Sequence, residues 1–242
     1  MRRLITAAFS GSGSVAPSGV LSLRTIRPWP SVVTDAGRFK FRTFLTHTMP
    51  WFGLGREVNL WRLRNLRHVW RGFWRVLLAD LLGIQTHVGC VWLTRLDEFG
   101  NKTLLGLAGM RVVTTTGAGF IVDAFQNIVE LENMKFHGFG TGGAAEAVGN
   151  TALTTELTTE YVTNSTRPTG SQTEASATVY RTVGTLSPDS GGTLAITEHG
   201  IFDQAATGGG VLLDRTLFSA VNLVAGSDSL QATYDFTVTA GS

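Results

Sequence analysis

Apolar and polar positions recur along this chain with two different periods, and the change of period falls near residue 88. Between 54 and 83, Leu63, Leu66, Trp70, Phe73, Leu77 and Leu81 return at spacings of three and four, which predicts an amphipathic helix with these residues on one face. Arg64, Arg67, Arg71 and Arg75 follow as a parallel stripe one position along; Gly72 weakens the middle, and Gly83 suits a C-terminal stop. The pattern predicts a basic docking helix over 54–87, and a helix packed on its own domain with a solvated arginine edge is the competing arrangement.

From Val88 the period becomes that of strands. Val88 to Leu96 and Leu104 to Thr116 alternate or run apolar with many β-branched residues, joined by a hairpin turn at 97–102. A helical insert is expected over 120–133, on a stripe of Ile121, Phe125 and Ile128 or Val129. Further strands are expected at 134–139, 151–158, 173–186, 193–202, 210–219 and 229–239, separated by turn clusters at 138–143, 164–170, 188–192, 206–210 and 225–229. Many short strands with Gly/Ser/Asp turns predict a mainly β domain over 88–242, an antiparallel sandwich or barrel with one helical insert. Residues 1–53 read as an extended arm. Ser10–Ser14 is linker chemistry and Pro17, Pro28, Pro30 and Pro50 oppose regular structure, yet Phe39, Phe41, Phe44 and Leu45 call for burial against something.

Charge sharpens the division. Residues 1–95 hold 13 Arg and one Lys against Asp35, Glu57 and Asp80, a net +11; residues 96–242 hold 6 basic and 15 acidic residues, a net −9. All six Trp (29, 51, 61, 70, 74 and 92) lie in the basic part. Two such unlike segments are expected to form separate structural units rather than one mixed core. Trp61, Arg64, Arg67, Trp70, Arg71, Trp74 and Arg75, with Phe39 and Phe41, are the candidate docking interface.

Candidate chemistry is thin. Cys90 is single and flanked by apolar residues, which makes a buried small hydrophobe. Gly138-Phe-Gly-Thr-Gly-Gly143 matches the dinucleotide string, but it follows an acidic helix and precedes no evident βαβ unit, so an inter-strand loop is expected. Glu198, His199 and Asp203 would need partners from another strand to make a metal or catalytic site, so His199, like His137, is expected to be packed or on the surface; Asp214 and Arg215 are expected to form a turn contact. No catalytic, cofactor or metal site is expected, and no signal peptide or membrane span. Arg with Trp suits nucleic acid as well, but indoles on a packed helix face argue against direct DNA contact.

Several segments resemble structural proteins of tailed bacteriophages. They are residues 111–127 (RVVTTTGAGFIVDAFQN), 135–142 (KFHGFGTG), 154–159 (TTELTT), 197–202 (TEHGIF), 212–220 (LLDRTLFSA) and 228–239 (DSLQATYDFTVT). The resemblance implies a virion protein with a jelly-roll-like sandwich. Its nearest role is a capsid cement or decoration protein on the head exterior, bound to the major capsid protein and to like copies. Neck, tail or fibre proteins, some of which bind host glycans, are the alternative it leaves open. No matching pattern reaches residues 1–95.

Overall fold

The computed structural model describes residues 29–31, 39–82 and 87–238. The expected Ser10–Ser14 linker, the prolines at 17 and 28 and the Gly83 stop lie outside them. In chain order the elements are α1 (Phe41–Thr48), α2 (Arg56–Leu81), β1 (His87–Leu96), β2 (Lys102–Val112), α3 (Thr115–Phe125), a 3-10 turn at Leu131–Asn133, and then β3 (Phe136–Gly140), β4 (Ser171–Ser176), β5 (Val179–Leu186), β6 (Thr193–Phe202), β7 (Leu212–Val224) and β8 (Ser229–Val238). The strands make two antiparallel sheets, ordered β2-β1-β8-β5-β4 and β3-β6-β7. The chain is mainly β, with a sheet arrangement compatible with a sandwich.

The cores show why β1 reads as an almost unbroken apolar run. Val91 and Leu93 enter the core between the sheets with Ile196, Phe218, Leu223 and Tyr234. Val88, Cys90 and Trp92 point the other way and meet Phe44 of α1 and Val69, Phe73 and Val76 of α2. A strand covered on both faces needs apolar residues at every position. Trp29 continues this outer layer, stacked on Trp92 at 5.1 Å. Arg181 donates to the Trp29 carbonyl (2.7 Å) while paired with Asp235.

The helical layer corrects several expectations. The chain at 41–48 is helical rather than extended, because Phe44 has an apolar sheet face to cover. Basic and acidic parts share cores: Val58 and Trp61 belong to the inter-sheet core, and Phe44, Val69, Phe73 and Val76 to the outer one. The difference in net charge does not set the packing: Arg62 of the basic part and Glu198, Asp214 and Asp235 of the acidic part are themselves buried. The buried face of α2 is also rotated from the expected one. It carries Val58, Trp61, Arg62, Asn65, His68, Val69, Gly72, Phe73 and Val76, whereas Leu63, Trp70 and Leu81 are exposed.

The polar members of that buried face have a local cause. β2 holds one residue more than β1 between Val91 and Trp92 and again between Leu93 and Thr94, and at the second bulge Gly106 has φ +117°. Bulges turn carbonyls out of the ladder, and the helix receives them. Arg62 Nε donates to Leu105 O (2.7 Å); Asn65 Nδ2 donates to Ala108 O (2.9 Å) and Leu107 O (3.2 Å). On the other sheet, Asn65 Oδ1 accepts from Ser219 N (2.9 Å) and Trp61 Nε1 donates to Ser219 O (2.8 Å). Helix α2 therefore closes the seam between two edge strands, β2 and β7. Gly72 is what lets it approach, since a Cβ there would lie 2.1 Å from Met110 O.

In the β domain, α3 starts at Thr115, earlier than the expected 120, because the Thr114 hydroxyl accepts from Gly117 N (3.0 Å) and caps it. It stops at Phe125, and Asn127 follows at φ +57°. The span 173–186 is two strands, and β7 runs on to 224. Residues 151–158 form no strand beyond a single bridge from Glu156 to Gly140, because Glu198 holds this loop by its backbone amides.

Candidate docking surface

With its inner face committed to both sheets, α2 presents an outer face of unusual composition. Leu60, Leu63, Trp70, Trp74, Leu78 and Leu81 are all exposed, the last by 74%. Beside them run Arg64, Arg67, Arg71 and Arg75, exposed and without an acidic partner among the described residues. Trp70 stacks on Phe73 at 4.9 Å, and Trp74 stands edge-on to Trp70 at 5.5 Å. Rings fixed in this way lose little freedom when a partner covers them. Phe41, half exposed, adds its ring 6.0 Å from Phe73, while Phe39 is partly buried at 5.4 Å from the same ring.

Of the nine expected interface residues, the structure brings the four arginines, Trp70, Trp74 and Phe41 to the surface and leaves Phe39 at its border. Trp61 is the correction. It is 7% exposed and belongs to the core, its indole N–H spent on Ser219. Aromatic identity alone cannot tell a core tryptophan from a surface one.

On one flank of the arginine stripe lies an open groove of about 730 Å3, walled by Arg64, Arg67 and Arg71 and by Leu217 to Ala220 of β7. His68 lies at its floor. Burial, together with the nearby Arg67, pushes its pKa down to about 4, and it accepts from Arg67 Nε at 3.0 Å. The groove wall is thus cationic through arginines alone near neutral pH.

The residues set aside as candidate chemistry are interior. His137 Nδ1 and His199 Nε2 share a hydrogen bond of 2.9 Å, and Thr182 Oγ1 lies 3.1 Å from His137 Nε2. Both rings are buried, and burial holds both pKa values down, that of His199 to about 3. The two histidines meet from β3 and β6, a pairing invisible without the register. Glu198 pairs with Arg215 (2.8 Å) and accepts from the amides of Gly142, Thr154 and Thr155. Asp214 and Arg215 lie near the start of β7, opposite Ile201 and Gly200 of β6, and are buried, not a turn pair. Burial lifts Asp214 to a pKa of about 7.

The glycine string is explained by the same contacts. A Cβ at Gly138 would meet the Phe202 ring at 2.6 Å, one at Gly140 the Thr155 carbonyl at 2.4 Å, and one at Gly142 the Glu198 carboxylate at 2.4 Å. Gly138 and Gly140 accordingly sit in β3, so the strand expected over 134–139 runs through Gly140 and the turn expected from 138 starts only after it. Sequence reasoning also passed over Arg167, which is buried, bonded to Glu156 (2.9 Å) and stacked on Phe202 at 3.6 Å. A lone Arg in a loop gives no sign of this.

Among the described residues no group of three His, Cys, Asp or Glu could hold a metal ion, and no helix is long and apolar enough to cross a membrane. No protein-family model matches the chain, and no curated protein matches it.

Proposed function

We propose that the chain is a non-catalytic structural protein of a tailed-bacteriophage particle, a cement-like subunit on the outside of the head. The Arg/Trp/Leu face of α2 meets a neighbouring subunit of the particle, and the basic residues before it meet the major capsid protein. The observation that carries this reading is that a face with two exposed tryptophans, several exposed leucines and four arginines that have no acidic partner among the described residues remains after α2 has packed on its own sheets. An exposed apolar patch rimmed by charge is the mark of an interaction site. The resemblance of the segments between 111 and 239 to phage structural proteins supplies the setting, and the antiparallel two-sheet fold agrees with it. Cement proteins add buried area across capsomer seams, and the net charge of +11 before residue 96 suits an acidic shell surface.

The test is direct. Antibodies against the chain are applied to particles purified from the phage whose genome carries its gene, and label on the heads is expected. A chain carrying Trp70→Ser, Trp74→Ser and Arg71→Glu is expected to fold and to be missing from those particles. Particles that never contain the protein would sink the reading; label confined to neck or tail would move it there.

A further inference from the structure

A second patch on the same chain complements the α2 face. On α3 and the segment after it, Val122, Phe125, Ile128 and Leu131 are exposed by 57%, 86%, 64% and 51%. Glu130 and Glu132 are exposed among them, Asp123 is half-buried, and no basic residue occurs between Arg111 and Lys135. None of these three acids forms an ion pair among the described residues. One patch is apolar and cationic, the other apolar and anionic. They are carried by different helices, so one copy can offer both at once to two neighbours.

We infer that the occupant of the α2 face is the α3 patch of a second copy, so that copies join head to tail. This deepens the docking reading by naming one neighbour of α2, and it rests on that reading only in treating the α2 face as an interface. Arg64, Arg71 and Arg75 meet Asp123, Glu130 and Glu132 of the next copy, while Phe125 and Ile128 lie against Trp70, Trp74 and Leu63. The contact is heterologous: a joined pair keeps one α2 face and one α3 patch free for further neighbours, which builds rings or open rows rather than closed dimers. Its strength follows from its size. The α2 residues engaged, Leu63 to Arg75, span about 18 Å, and a strip about 10 Å wide along them covers roughly 200 Å2. A standard interface places about 800 Å2 on each partner. One junction is therefore weak in solution, and firm attachment comes from many junctions along an array.

Sedimentation velocity of the full chain, from micromolar to millimolar concentration, tests this. The wild-type chain is expected to show a sedimentation coefficient that rises with concentration and falls back when salt is raised. Arg64→Glu with Arg71→Glu is expected to weaken association about tenfold or more, and so is Glu130→Lys with Glu132→Lys, since each sets like charges face to face. Mixing the two variants, or combining all four changes in one chain, restores association, which also shows that the variants fold. A wild-type chain that stays monomeric at millimolar concentration overturns the inference. So does an α3 reversal without effect, or a four-fold variant that does not recover. Binding to phosphatidylglycerol vesicles without self-association would assign the α2 face to lipid and overturn it as well. A monomeric chain still found on particles refutes this junction and leaves the virion reading standing; a self-associating chain absent from particles does the reverse.

Discussion

Replacing Asn65 by Ala tests whether α2 is a component of the fold or an appendage to it. Asn65 is 1% exposed and its side chain makes three bonds across the seam: it accepts from Ser219 N at 2.9 Å and donates to Ala108 O and Leu107 O at 2.9 and 3.2 Å. Truncation leaves the Ser219 amide buried without an acceptor, at about 1–3 kcal/mol, and removes two donors to β2 carbonyls at roughly 0.5–1.5 kcal/mol each. Ala returns about 0.6 kcal/mol as the better helix former. The expected loss is therefore about 2–4 kcal/mol. With a urea slope near 2–3 kcal/mol/M for a chain of this size, the midpoint moves by about 1 M. Equilibrium urea unfolding followed by tryptophan fluorescence reads it. Arg64→Ala on the exposed side of the same turn is the control and is expected within about 0.5 kcal/mol of wild type. If Asn65→Ala unfolds at the same midpoint as wild type, α2 does not close the β2/β7 seam and the account of its inner face is wrong.

Other outcomes follow from the interior. Gly72→Ala is expected to destabilise despite the roughly 1 kcal/mol helix gain, because the new Cβ would lie 2.1 Å from Met110 O; a raised melting temperature would contradict this. Glu198→Gln leaves the buried Arg215 without its charge partner, a loss of about 3–5 kcal/mol, read as faster hydrogen exchange in residues 141–155; unchanged exchange there would remove Glu198 as the loop's anchor. The pH response is a balance of opposite signs. His137 and His199 have lowered pKa values, so the unfolded chain takes up their protons first, and their contribution, present above pH 6.5, is lost as pH falls. Asp214, raised to about 7, holds a proton in the folded state between pH 3.8 and 7, so its contribution grows as pH falls through that window. His68, lowered to about 4, adds a third proton of the same sign, and His47 shifts the same way while Asp235 shifts with Asp214, so the histidines outweigh the carboxyls and stability falls with pH from about pH 6 to 4.5. Asp214→Asn removes an opposing member and should steepen that fall; a slope unchanged by the substitution would show that Asp214 is not protonated in the fold.

The positions of the strands at 193–202 and 229–239 were legible, but not their burial: β8 lies between β1 and β5 and buries Thr233, Asp235 and Thr237 although its alternation suggests a solvent face, and β6 buries Glu198 and His199. The existence of α2 was legible from its spacing, but not its orientation. Its core-facing turn carries Arg62 and Asn65, whose partners are carbonyls freed by bulges in a strand some 40 residues on, and nothing local announces a bulge. The hidden meeting of His137 with His199 depends in the same way on the register of β3 with β6. Of the candidate interface, the exposure of the arginine stripe could be read directly, since guanidinium groups without buried partners stay in solvent, but that of Trp70 could not, because it shares its spacing with the buried Phe73. Trp61 could not, because its place was decided by a carbonyl on β7.

The way α2 bridges the two sheets has a mechanical consequence. Its inner side chains grip β2 through Asn65 and Arg62 and β7 through Trp61 and Asn65, so tension on the outer face enters both sheets together. Pulling on the helix does not peel one edge strand away from its neighbours, because several bonds at separate points must break together. A subunit anchored through such a helix passes strain from its lattice into the whole body of the protein, and its weakest point is the contact outside rather than the fold within.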